Sequence, residues 1–256
     1  ESLRKMIEWH ALEDTVERLL PESLDAHRPP PARPTWRWQV GELFRRHGAH
    51  LDAAAASAVT HALRALRSDG LRRIGPDDHG ALATLHAQMA EGILVRWRRL
   101  GDESSAALEL ARQCVRDLGA CVAAMGPAHP ARTASLRALL TLYRFDIEAG
   151  PAAWATGGAP GLLALRQVVT HATPDERRQL AAQVGERIER AEGWTRHAWH
   201  RCRLELEEGL IDDADWLDAC AAAMRHGLAA RRLAALGRGP EALQQLAAAA
   251  PSELVE

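Results

Sequence analysis

The side chains able to do chemistry fall into a few short groups. Cys114 and Cys121 stand seven residues apart beside Val115 and Val122, so on a helix they join an apolar stripe and read as small core residues. His197, His200 and Cys202 are the most metal-like group, because residues three apart on a helix share a face, as two imidazole ligands require. Cys202 points away from His200, however, no second ligand pair stands at zinc-finger spacing, and Trp194 and Trp199 argue for packing. Asp212, Asp213 and Asp215 lack the glycine and closing glutamate of a calcium loop and read as helix caps. Gly157-Gly158-Ala159-Pro160-Gly161 is not followed by lysine and serine or threonine, and no Gly-x-Ser-x-Gly elbow occurs, so the phosphate-loop and serine-hydrolase signatures are both absent. His79 and His129 each follow a Gly-Pro turn and read as capping or packing residues. The expectation is a non-enzyme with no cofactor and no metal, leaving helical metal binding through His197, His200 and the acids from Glu205 to Asp218 as a minor alternative.

What remains is charge. The chain carries a formal −2, which argues against a general polyanion binder. Residues 36–76 nevertheless hold Arg37, Arg45, Arg46, Arg64, Arg67, Arg72 and Arg73 against Glu42, Asp52 and Asp69, while residues 205–218 hold seven acids and no base. Solvated helix faces are the ordinary explanation of such runs; the sharper one is a bipolar molecule that steers partners. Lys5 is the only lysine, and arginine in its place, with the alanine runs, fits the coding bias of a GC-rich bacterium.

The elements that must position these residues are helices. From Asp77 or Asp78 as N-cap, Leu82, Leu85, Met89, Ile93 and Trp97 recur at intervals of three and four, predicting a helix to about Leu100, where Gly101 stops it. Leu108, Ala111, Val115, Leu118, Val122 and Met125 mark the next, closed by Gly126-Pro127. Leu136, Leu140, Tyr143 and Ile147 mark a third. Val40, Leu43, Phe44 and His47 precede them as one more helix, with a partner carrying Ala53 to Ala56, Val59, Leu63 and Leu66. After Gly150 the register is lost: Pro151 to Pro160 reads as a loop, then come Leu162 to His171, Pro174 to Ala191 behind Thr173, Trp194 to Glu208, a helix capped by Asp213 or Asp215, and a pair near Leu228 to Leu236 and Glu241 to Ala249. No strand-like alternation of comparable length competes.

Two turns repeat. Gly75-Pro76-Asp77-Asp78-His79 and Gly126-Pro127-Ala128-His129-Pro130 lie 51 residues apart, and Gly48-Ala49-His50-Leu51-Asp52 and Gly101-Asp102-Glu103 lie 53 apart. A unit recurring at this length implies stacked helix pairs. The Ile74-Gly75-Pro76-Asp77-Asp78-His79 and Met125-Gly126-Pro127-Ala128-His129-Pro130 segments resemble the Leu-Gly-Pro-Asp-His-Pro junction of tetratricopeptide (TPR) repeats of the long-helix, kinesin-light-chain-like variety found in bacterial signalling proteins. Gly101-Asp102-Glu103-Ser104-Ser105-Ala106-Ala107-Leu108 resembles the turn inside such a pair, with an echo at Gly237 to Leu243. The resemblance covers Trp36 to Gly150. It implies an all-α fold, an α-solenoid of stacked antiparallel helix pairs, and a concave groove lined by the first helix of each pair. A protein–protein interaction module follows, an adaptor or scaffold or the regulatory arm of a signalling ATPase or protease, whose groove binds a peptide, an acidic segment or a helix of a partner. Off the apolar stripe of the two clearest groove helices stand Gln88, Arg96 and Arg99, then Arg137, Thr141 and Arg144, and arginine suits bidentate capture of carboxylates. The alternative is nucleic-acid binding through Trp36, Arg37, Trp38, Arg45, Arg46, Arg72 and Arg73, with the tryptophans as stacking platforms.

These readings divide the chain into an N-terminal amphipathic helix over 1–20 (Trp9, Leu12, Val16, Leu19), a proline-rich linker over 21–35, TPR-like repeats over 36–150 and degenerate repeats or a cap over 151–256. A first residue Glu1 reads as a trimmed or excised piece. The absence of a roughly 20-residue apolar run, and four scattered cysteines that make no disulfide framework, fit a cytoplasmic protein without a membrane partner.

Overall fold

A computed structural model of the chain describes residues 35–46, 51–96, 104–150 and 160–249, and every regular element among them is an α-helix. The N-terminal helix, most of the proline-rich linker, His47, Trp97, Arg99, the Gly101 turn and the Gly157-Gly158 loop lie outside the described residues. The helices are α1 (Trp36–Arg46), α2 (Ala53–Ile74), α3 (His79–Leu94), α4 (Ser104–Ala124), α5 (Arg132–Ala149), α6 (Pro160–His171), α7 (Pro174–Arg190), α8 (Gly193–Glu207), α9 (Asp213–Ala222), α10 (His226–Ala235) and α11 (Gly239–Ala248).

Local chemistry sets the helix starts. Asp52 opens α2, its carboxylate accepting from Ala55 N at 2.7 Å, and Asp78, not Asp77, opens α3 through Ala81 N at 2.9 Å. At α7 a full capping box forms: Thr173 Oγ1 accepts from Glu176 N at 3.3 Å, and Glu176 Oε2 accepts from Thr173 N at 2.8 Å. Two expectations need correction. The α9 cap is Asp212, which accepts from Ala214 N and Asp215 N, rather than Asp213 or Asp215; it stands at the last extended residue, where a short carboxylate reaches the next turn's free N–H groups. Helix α3 ends at Leu94 instead of running to Leu100. There Arg96 N bonds back to Ile93 O at 2.9 Å, three residues away, and this tighter closure ends the helix. At the first repeated turn Gly75 takes φ 84°, a left-handed conformation that a side chain would strain.

Neighbouring helices pair and the pairs touch. α3 packs on α4, α5 on α6 and α7 on α8, while α1 lies against α3 and α3 against α5, and α2 lies against α4 and α4 against α6. After α6 the pattern changes: it is α8 that packs on α5 and α6, with α9, α10 and α11 following in turn. Close approach is built in by small residues. A Cβ on Gly70 of α2 would come within 2.9 Å of Leu85 of α3 and 3.2 Å of the Trp36 ring, and one on Gly161 of α6 within 2.6 Å of the Asp146 carboxyl of α5. One apolar cluster runs from Val40 in α1 to Leu206 in α8, crossing Gly150 without a break; a second, smaller one gathers Leu204, Trp216, Cys220, Ala223 and Ala229.

The junction of four helix ends rests on one guanidinium. Arg132, 4% exposed in the first turn of α5, donates through Nη1 to Val122 O and Met125 O at the end of α4, both at 2.6 Å. Nη2 reaches His171 O at the end of α6 at 2.7 Å. Nε and Nη2 grip Glu176 of the α7 capping box at 2.8 and 3.0 Å. All five donors are used, and the charge faces carbonyls that helix ends leave unsatisfied. Arg177 repeats the device one hairpin later, donating to Leu206, Glu205 and Glu208 carbonyls at the end of α8. Replacing Arg132 with methionine strands three buried carbonyls and the Glu176 carboxylate, so equilibrium urea denaturation should show a loss of about 3–5 kcal/mol; a loss below about 1 kcal/mol would remove Arg132 from this role.

Candidate functional site

The expected groove residues are mostly engaged in holding the fold. Gln88 Oε1 accepts from Trp36 N at 3.0 Å, satisfying a free N–H at the start of α1. Arg96 donates to Gly92 O at 3.4 Å and lies over Gly41, where a Cβ would sit 3.1 Å from its Nη2. Thr141 Oγ1 donates to Arg137 O one turn back at 3.0 Å. Arg99 lies outside the described residues. Arg137 is exposed, and Arg144, about two turns further along α5, pairs with Glu148 at 3.2 Å and lies 5.9 Å from the Phe145 ring.

The arginine run of the nucleic-acid reading is threaded with acids. Arg37 pairs with Glu91 at 3.2 Å, Arg45 and Arg46 with Glu42 at 2.6 and 3.4 Å, and Arg72 and Arg73 with Asp69 at 3.4 and 2.7 Å. Trp36 packs against the main cluster over Gly70, and Trp38 carries the Arg45 guanidinium at 5.6 Å. Trp36 is thus a packing residue, and Trp38 is half-buried with one cation against its ring.

A different cation stands out. Arg187 of α7, half-buried, lies 4.8 Å over the ring of Trp199 of α8, and it makes no hydrogen bond or ion pair with any described residue. Burial, and then the charge of Arg144, pull its pKa below the usual guanidinium value. The platform beneath is fixed: Trp199 meets Tyr143 of α5 edge-on, centroids 5.8 Å apart, and Tyr143 OH donates to Ala198 O at 2.9 Å. Arg137 and Arg144 of α5 and Arg187 of α7 thus put guanidinium groups on two helices that both open at the Arg132 junction. Arg187 carries no motif. It falls one residue before the apolar Ile188, and its partner Trp199 belongs to another helix, so only the three-dimensional pairing reveals it.

The remaining titratable groups are inward. Cys114, Cys121, Cys202 and Cys220 are free and buried, and burial raises their thiols, to about 12 at Cys114, about 11 at Cys121 and about 12 at Cys220; none is a thiolate nucleophile at neutral pH. His197 is exposed, His200 half-buried and Cys202 fully buried, so those three are not gathered, and among the described residues no group of three His, Cys, Asp or Glu side chains could hold a metal ion. Asp146, raised to about 6 by burial, accepts from Leu162 N at 2.8 Å and Gly161 N at the start of α6, capping that helix from across the hairpin. A shallow cleft of about 330 Å³ lies among Glu208, Trp216, Arg231 and Arg232, where Arg232 is already held by Asp213. No helix among the described residues is long and apolar enough to cross a membrane. No protein-family profile, curated protein or solved structure matches the chain.

His86 in α3 is the buried group with the sharpest consequence. Burial lowers its imidazole from 6.5 to about 4, against the pull of Asp117, 3.9 Å away, and with the push of Arg67. Arg67 of α2 in turn pairs with Asp117 of α4, whose second oxygen accepts from Gln113 at 2.8 Å. A base whose folded pKa is depressed contributes stability that is complete above its unfolded pKa and drains away as pH falls from 6.5 towards 4. Relative to His86→Leu, the wild type should therefore lose about 2 kcal/mol of unfolding free energy between about pH 7.5 and pH 5. A parallel pH dependence of the two proteins in urea titrations would mean that the imidazole is not held neutral.

Proposed function

We propose that this chain is a protein–protein interaction module, a solenoid of TPR-like helix pairs that recognises an acidic segment of a partner protein. The observation that carries the reading is the arrangement of cations on the first helices of successive pairs. Arg137 on α5 and Arg187 on α7 have no acidic partner among the described residues, whereas Arg37, Arg45, Arg46, Arg72 and Arg73, like Arg144 with Glu148, are paired. The neighbouring helices α1, α3 and α5 form an extended stack, and an extended stack suits an extended or helical ligand better than a small molecule. The chemistry-bearing side chains fit a binding role: thiols and the His86 imidazole are spent in the core, and Asp78, Thr173 and Asp212 on helix starts. An adaptor and the regulatory arm of a signalling ATPase or protease both use such a module.

The test is fluorescence anisotropy with two labelled probes of equal charge, a glutamate-rich peptide and an oligothymidylate, at physiological salt. The peptide should bind and the oligonucleotide should not, and Arg137→Ala with Arg144→Ala should weaken the peptide by about tenfold or more, as removal of two charge-assisted contacts does. Tighter binding of the oligonucleotide, with a steep salt dependence, would replace this reading with the nucleic-acid one.

A further inference from the structure

A half-buried guanidinium with no acid paired to it among the described residues, and under the charge of Arg144, itself paired with Glu148, is an unfavourable arrangement for an empty protein. Desolvation weakens the positive form, and a like charge adds to the penalty. Other arginines of this chain avoid the situation. Arg132 is more deeply buried and spends all five donors, Arg177 spends its donors on the end of α8, and Arg67 faces Asp117. Among the described residues Arg187 has only the Trp199 face beneath it, at 4.8 Å. That face orients the planar group and leaves its in-plane N–H donors free. The supporting layer is rigid, since Trp199 is 4% exposed, wedged against Tyr143, and Tyr143 is pinned by its bond to Ala198 O. An oriented donor fork on a fixed platform, next to a second cation, is how a protein preorganises for a planar anion.

We propose that Arg187, with Arg144 beside it, is a subsite for a single carboxylate of the bound partner segment, held bidentately by the Arg187 fork over Trp199. The ligand chemistry is a carboxylate flanked by apolar surface, because Trp199 and Phe145 adjoin the two guanidinium groups. The proposal rests on the acidic-segment reading for the identity of the partner, but the subsite has its own test. A side-chain carboxylate and a chain-terminal carboxylate offer the same oxygen pair, and amidation of the probe separates them.

Two measurements decide it. In the first, N-acetylaspartate α-amide, which carries one carboxylate on an otherwise neutral frame, is titrated into ¹⁵N-arginine-labelled protein at constant ionic strength, with the Arg187 Nε–H signal assigned by its loss in Arg187→Gln. A saturable shift of that signal, absent with the neutral N-acetylasparagine amide, is expected; an unmoved Arg187 signal overturns the subsite. In the second, the glutamate-rich peptide is bound to wild type, Arg187→Gln and Arg187→Lys. Both variants should bind at least tenfold more weakly, lysine included, because it keeps the charge and loses the planar fork. Both should melt close to wild type in the absence of ligand, since the stacking on Trp199 is offset by the desolvation of the unpaired guanidinium; a merely structural Arg187 would give the opposite, a clearly lower melting temperature with unchanged affinity. Equal peptide affinity in wild type and both variants overturns the subsite while leaving the acidic-segment reading standing. A responsive Arg187 signal with no peptide binding to any form overturns the acidic-segment reading while leaving the subsite standing. An amidated peptide that binds as well as the free one assigns the subsite to a side-chain carboxylate, and a tenfold loss on amidation assigns it to the chain terminus.

Discussion

Four helix ends meet at Arg132, and the packing of the chain's middle depends on that meeting. Helix termini are electrostatically incomplete, with bare carbonyls at one end and bare N–H groups at the other. The ends of α4 and α6 present carbonyls to Arg132, and the start of α7 presents its capping-box carboxylate. One planar cation therefore converts three local deficits into a single satisfied network. A lysine would not do this, because one ammonium has three donors and no fork. The apolar cluster then follows, since α5 and α6 are held where Tyr143, Ile147, Leu165 and Val168 can pack together.

The sequence shows the helices well and their assembly less well. Periodic apolar residues located α3, α4 and α5, and capping chemistry located α7, because those signals are local. The end of α3 was less visible, since Trp97 prolonged the stripe while the backbone had already tightened at Arg96. The loss of register expected after Gly150 concerns the apolar pattern. The hydrogen bonding keeps a repeat there, with Arg132 and Arg177 each near the start of a helix and each closing the end of that helix's hairpin partner. An arginine after a turn is too common a residue for that correspondence to be seen without coordinates.

The candidate surface was legible only in kind. Arginines off the apolar stripe of α5 were visible as such, but exposure on one's own helix says nothing about neighbours. Gln88 was claimed by the first N–H of α1 and Arg96 by its own helix and Gly41. Conversely Arg187, which borders an apolar position, became notable only because Trp199 arrives from α8 to lie under it. Pairing status, rather than residue type, separates the cations that hold the fold from those available to a ligand.

Helix α8 belongs to both apolar clusters. Trp199, Cys202 and Leu206 enter the larger one, while Leu204 enters the smaller one with Trp216 and Cys220. A rotation of this helix about its axis cannot repack one side without unpacking the other, so the packing of α9 and the packing beneath Arg187 share one support.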